Sequence, residues 1–138
     1  MTETLRSVRA DDQLASAASL PPGEIDVAPL LGTWWNTDKA TGGVIRMELS
    51  ESGGAFVVHA FGACDPAPCD WGVRPAVAYA AAVGSRAGMA FSVTYDFGFL
   101  ETLMAAYSKG GILVLDTFNT FKDASGRSNY FTREFFHR

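Results

Sequence analysis

The chain has 138 residues, enough for one domain that buries most of the surface its unfolded form would expose, and its net charge at pH 7 is -4. An acidic balance excludes the basic face that a nucleic-acid binder needs for counterion release. Hydrophobic residues make up 48% of the chain and charged residues 19%. No apolar run reaches the roughly 18 residues that would mark a membrane-spanning helix.

Residues 1–26 carry Glu3, Asp11 and Asp12 and lack the continuous apolar stretch of a signal peptide. Pro21-Pro22-Gly23 ends any helix begun there. The expectation is a weakly ordered or loosely helical tail over residues 1–26, then a single β-barrel domain over residues 27–138. A cytoplasmic location follows as the default.

From Leu31-Gly32-Thr33-Trp34-Trp35-Asn36 onward the punctuation is regular. Turn signals rich in Gly, Asp, Ser and Pro fall at residues 38–43, 51–54, 62–72, 83–88, 96–99, 108–111 and 123–127. They separate eight runs rich in β-branched and aromatic residues: 32–37, 44–50, 55–61, 73–82, 89–95, 100–107, 112–122 and 128–138. Residues 76–83 and 100–107 also have helical propensity, but glycine-bearing turns bound both, and both are read as strands. Alternation is clearest where Ile45, Met47 and Leu49 oppose Arg46 and Glu48, and where Phe91, Val93 and Tyr95 oppose Ala90, Ser92 and Thr94.

Eight short antiparallel strands must hide two sheet edges, and closure into an up-and-down barrel removes both. The expected fold is therefore all-β, an eight-stranded antiparallel barrel. A barrel of that size is either a solid core or a container for one small ligand.

Gly32-Thr33-Trp34, with the strand count over residues 30–138, resembles the lipocalin and avidin superfamily of eight-stranded (calycin) barrels. The resemblance implies that Trp34 plugs the closed end and that an arginine of the last strand lies across it. That arginine would be Arg133, with Arg138 as second choice. The opening also resembles that of avidins, in which the asparagine two residues after the tryptophan reaches into the pocket. Asn36 shares strand parity with Trp34 and would face inward with it. The later tryptophans of a biotin pocket are missing, the only other tryptophan being Trp71, so the resemblance does not extend to biotin.

Cys64-Asp65-Pro66-Ala67-Pro68-Cys69-Asp70-Trp71-Gly72 is the most unusual segment. The spacing could close a small disulfide ring, although a cytosolic setting argues for reduced thiols. The segment reads as a rigid loop, with Cys64, Cys69, Asp70 and Trp71 forming a lid over one barrel mouth. Among polar residues within apolar runs, Arg46, Glu48, His59, Arg74, Glu101, Asp116, Asn119, Arg133 and Glu134, most belong on a solvated face. Asp116, if inward, would be a carboxylate in an apolar lumen with a raised pKa.

No nucleophile elbow, zinc-binding helix motif, P-loop or dinucleotide fingerprint occurs, and no cofactor or metal is expected. The leading expectation is a barrel, bacterial in character, that binds a small, largely apolar or aromatic molecule. Asn36, His59, Tyr79, Tyr95, Phe97 and Tyr107 would line the pocket. The alternative is a cofactor-independent cyclase or isomerase of a natural-product pathway, in which the cavity folds the substrate and Glu101 or Asp116 assists as an acid. A third possibility is a ligand-free barrel acting through association. The aromatic load and the two-sided apolar runs at residues 57–61 and 131–136 point to a homo-oligomer, dimer or tetramer. Neither nucleic acid nor membrane is an expected partner.

Overall fold

The structure, a computed structural model, describes residues 24–138, so the tail expected at residues 1–26 falls almost wholly outside the described residues. A short 3-10 helix, Ala28–Leu30, precedes nine strands. These are β1 (Gly32–Asn36), β2 (Val44–Ser52), β3 (Ala55–Gly62), β4 (Cys69–Pro75), β5 (Val77–Ala80), β6 (Gly88–Asp96), β7 (Leu100–Lys109), β8 (Ile112–Phe121) and β9 (Tyr130–His137). All pairings between them are antiparallel, in the order β4-β3-β2-β1-β9-β8-β7-β6-β5. Among the described residues no helix is long and apolar enough to cross a membrane.

The two edges of this sheet, β4 and β5, are consecutive in the chain and separated only by Ala76. One bent passage thus pairs first with β3 and then with β6, which nearly closes the barrel. The count is nine rather than eight only because of this bend: the run expected at residues 73–82 is cut where Pro75 cannot donate to a ladder. Arg74 spans the remaining gap, its Nε donating to the Thr94 carbonyl at 3.2 Å. Both segments with helical propensity are strands, because each completes a sheet edge that would otherwise be unpaired.

One end of the barrel is solid. Trp34, Leu30, Met47, Phe91, Leu113 and Phe136 are each at most 1% exposed and pack together there. The 3-10 helix crosses this end, and the Trp34 indole N–H donates to the Leu30 carbonyl at 2.9 Å. The guanidinium over Trp34 is that of Arg138, 4.3 Å from the ring centroid. Arg138 also donates to the Leu31 and Pro29 carbonyls at 2.8 and 2.9 Å, tying the residue after β9 to the 3-10 helix. The expectation for Arg133 is corrected: its position on β9 points outward, where it makes a bidentate pair with Asp116 across the β8–β9 ladder, at 2.7 and 2.9 Å.

Toward the other end the usual alternation inverts. On β7, Thr102 is 1% exposed while its neighbour Leu103 is 41% exposed. On β8, Asn119 is 6% exposed and Phe118 is 47% exposed. Along this half of β7 and β8, Thr102, Thr117 and Asn119 face the lumen while Leu103 and Phe118 face out.

Candidate functional site

The inverted half encloses a cavity of about 430 Å³ at the open end. Its wall has two characters. Trp71 of β4, Phe97, Leu100 of β7 and Tyr130 of β9 make an apolar, largely aromatic side. Thr102, Thr117, Asn119 and Thr132, from three adjacent strands, make a polar side joined by its own hydrogen bonds. Thr102 donates to Asn119 Oδ1 at 2.7 Å, Asn119 Nδ2 donates to Thr117 Oγ1 at 3.3 Å, and the Thr117 and Thr132 hydroxyls are bonded to each other. Such a network holds the side chains in place and leaves further donor and acceptor capacity facing the cavity.

The aromatic side is fixed by packing. The Trp71 indole lies edge-on to Tyr95 and Phe97, with centroids 5.6 and 5.2 Å away. Gly62 makes this possible, since a Cβ there would come within 2.6 Å of the Trp71 Nε1. Tyr95 packs against the lining residues Trp71 and Phe97 without lining the cavity itself. The β3–β4 ladder skips Ala60 at a bulge, and the Tyr95 hydroxyl fills the vacancy. It accepts from the Ala60 N–H at 3.1 Å and donates to one of the Val58 and Gly72 carbonyls, which lie at 3.1 and 2.9 Å. Burial raises the pKa of this phenol above its ordinary 10.0.

Among the described residues Glu134 is the one charged side chain lining the cavity. Asn36 Nδ2 donates to its Oε2 at 2.6 Å and the Thr41 hydroxyl donates to the same oxygen. Asn36 in turn donates to the Val44 carbonyl at 2.9 Å and accepts from the Asp38 N–H at 2.8 Å. The loop after β1 and the start of β2 are therefore tied to the Glu134 carboxylate. Oε1 lies against Gly43, where a Cβ would approach it to 2.5 Å.

Of the residues singled out from sequence, Phe97 and Trp71 line the cavity, Tyr95 packs against them and Asn36 supports Glu134 at its rim. Tyr79, Tyr107, His59, Glu101 and Asp116 occupy outward positions. The Tyr79 hydroxyl meets Ser92 at 3.0 Å on the surface. Asp116 is not a lumenal carboxylate, and its pKa is held below the usual carboxylate range by the Arg133 guanidinium. His59 packs on Phe61 and bonds Asp70 at 2.6 Å on the outside of β3 and β4, lowering the Asp70 pKa.

Cys69, Asp70 and Trp71 belong to β4 rather than to a free loop, and only Cys64 lies in the connection before it. Cys64 and Cys69 are disulfide-bonded with Cα atoms 5.5 Å apart, the small ring that the sequence left as one of two alternatives. Sequence reasoning passed over Thr41, Thr102, Thr117, Tyr130 and Thr132, and assigned Asn119 and Glu134 to the solvated face. Parity with Trp34 and Phe136 would have turned Glu134 inward.

The geometry defines a class: a nearly closed antiparallel β-barrel, filled at one end and hollow at the other. Comparison with protein-family models, with curated proteins and with solved structures found no match.

Proposed function

We propose that this barrel binds one small, predominantly apolar molecule in the cavity at its open end, as calycin-like carriers do. The observation that carries the reading is the mixed wall. Trp71, Phe97, Leu100 and Tyr130 offer apolar surface, while the threonines and Asn119, beside Leu100 and Tyr130 in the sheet, can fix orientation. A solid barrel acting only by association would have no use for a fixed polar network inside. The test is native mass spectrometry of protein purified from its own host, beside the cavity-filling variant Thr117→Phe. A molecule carried by the wild type and absent from the folded variant is the expected result. A molecule retained equally by both would overturn the reading.

A cyclase or isomerase in the same cavity draws support from Glu134, the carboxylate positioned to move a proton there. Glu101 and Asp116 lie on the outer face and are unsuited to the acid role. If the co-purifying molecule is converted on incubation, Glu134→Gln should stop the conversion.

Association between copies has its own support. On the outer face Leu103, Phe118 and Phe131 stand in one cross-strand row, and Tyr107, Val114 and Phe135 in another. The Asp116–Arg133 pair sits between the rows. A two-fold axis lying in the contact plane between the two side chains, perpendicular to the line joining them, would set each charge over its opposite. The half-exposed aromatic side chains offer roughly 400–500 Å² per copy, which with a rim approaches the area of a stable dimer. Sedimentation should show a dimer that Phe118→Ser with Phe131→Ser converts to monomer. A monomeric wild type at 100-fold dilution steps from about millimolar protein would remove this reading.

A further inference from the structure

Resting on the ligand-binding reading, we propose that the molecule held in the cavity carries a cationic hydrogen-bond donor, an amine or amidine, directed at Glu134. Its apolar body would lie across Trp71 and Phe97.

The charges of the wall are one-sided. Among the described residues thirteen line the cavity; Glu134 is acidic, and the thirteen include no Lys, Arg, His or Asp. Among the described residues no cation lies within ion-pair distance of Glu134, whereas Asp70, Asp96, Asp116 and Asp123 each have a cationic or imidazole partner. A carboxylate facing a restricted cavity without a counter-charge attracts a ligand that brings one.

The second observation is preorganisation. Both recorded donors to Glu134, Asn36 Nδ2 and Thr41 Oγ1, converge on Oε2. Asn36 is itself held by Val44 and Asp38, and the Gly43 N–H donates to the Thr41 hydroxyl at 3.0 Å. The group is thus fixed in orientation before any ligand arrives, and Oε1 keeps its acceptor capacity. Gly43 leaves Oε1 room that a side chain would remove. The third observation is the aromatic surface of Trp71, Phe97 and Tyr130, whose π-faces favour a cation and tolerate an apolar body.

An anionic ligand would meet the opposite conditions. It would place like charge against Glu134 with no lining cation to offset it. Fatty acids and other carboxylates are therefore disfavoured, although an apolar lumen alone would accept them.

The test uses the full chain and three matched probes: 4-phenylbutylamine, 4-phenylbutanol and 4-phenylbutyrate. Affinities are measured by calorimetry at low and high salt, with the Trp71 indole N–H followed by NMR to place each probe. The amine should bind at least about tenfold tighter than the alcohol, and the acid most weakly. Glu134→Gln should bring amine and alcohol to within about threefold of each other. Butyrate binding as tightly as the amine in the wild type would overturn the amine assignment and leave the cavity reading intact. If no probe binds or perturbs Trp71, both fall. The wild-type ranking decides the matter even if Glu134→Gln folds poorly.

Discussion

Tyr95→Phe removes one oxygen atom and tests the account of how the barrel wall is sealed. The hydroxyl substitutes for a missing ladder bond at the β3–β4 bulge, where Ala60 is fully buried. Phenylalanine keeps the ring packing against Trp71 and Phe97 but leaves the Ala60 N–H without a partner. An unsatisfied buried donor costs about 1–3 kcal/mol, and the lost bond to the Val58 or Gly72 carbonyl adds about 1 kcal/mol. The expected destabilisation is about 2–4 kcal/mol. For a domain of this size that lowers the melting temperature by roughly 8–16 °C.

Urea unfolding should show a lower midpoint with an unchanged slope, since the folded state exposes no more surface. Hydrogen exchange should show the Ala60 amide losing protection first. The phenol also has a pH signature. Its pKa is raised in the folded state, so its stabilising contribution is complete below pH 10.0 and is lost as pH rises through the folded value. The variant should lose less stability than the wild type on the alkaline side. A midpoint unchanged within error, with Ala60 still protected, would refute the assignment of the hydroxyl as the missing ladder partner.

At the closed end, Arg138→Ala should cost about 1–2 kcal/mol and shift Trp34 fluorescence, while Arg133→Ala leaves that fluorescence unchanged. Cys64→Ser with Cys69→Ser should destabilise by about 2 kcal/mol from loop entropy, and intact-mass analysis should find the wild-type thiols unreactive to alkylation until reduced. Gly43→Ala should displace Glu134 and weaken binding of 4-phenylbutylamine severalfold while leaving the closed end's melting behaviour within about 1 kcal/mol. Asp116 has a pKa lowered by Arg133, so its stabilising contribution is present above pH 3.8 and fades as pH falls through the lower folded value. Asp116→Asn should flatten that acid limb in urea titrations.

The turns were legible because they depend on local chemistry. Gly53, Gly54, Gly98, Gly110, Gly111 and Gly126 all have positive φ at strand connections, a requirement that stands in the sequence whatever the fold does. Strand parity was legible only at the filled end, where Met47, Leu49, Phe91 and Val93 are buried and their neighbours are not. It failed at the hollow end. Reading polar residues as solvated sends Thr102, Thr117, Asn119 and Glu134 outward and brings Leu103, Phe118 and Phe131 in, the reverse of their true placement. The exchange of Arg133 for Arg138 has the same origin. Phe131, Phe135 and Phe136 put apolar residues on both faces of β9, so no local pattern reveals which arginine turns toward the plug. The bend at Ala76 depends on a change of neighbour from β3 to β6, and only Pro75 hints at it.

The split between a filled and a hollow half also bears on how this chain can change over time. Trp34, Leu30, Phe91 and Phe136 secure the fold without meeting whatever enters the mouth. Substitutions at Thr102, Thr117 or Thr132 alter the shape and polarity of the cavity while the foundation beneath stays intact. On the proposed ligand-binding reading, descendants of such a barrel can acquire new selectivities by revising a few mouth positions, because those four residues, which specify the architecture, are not among the ones that line the cavity.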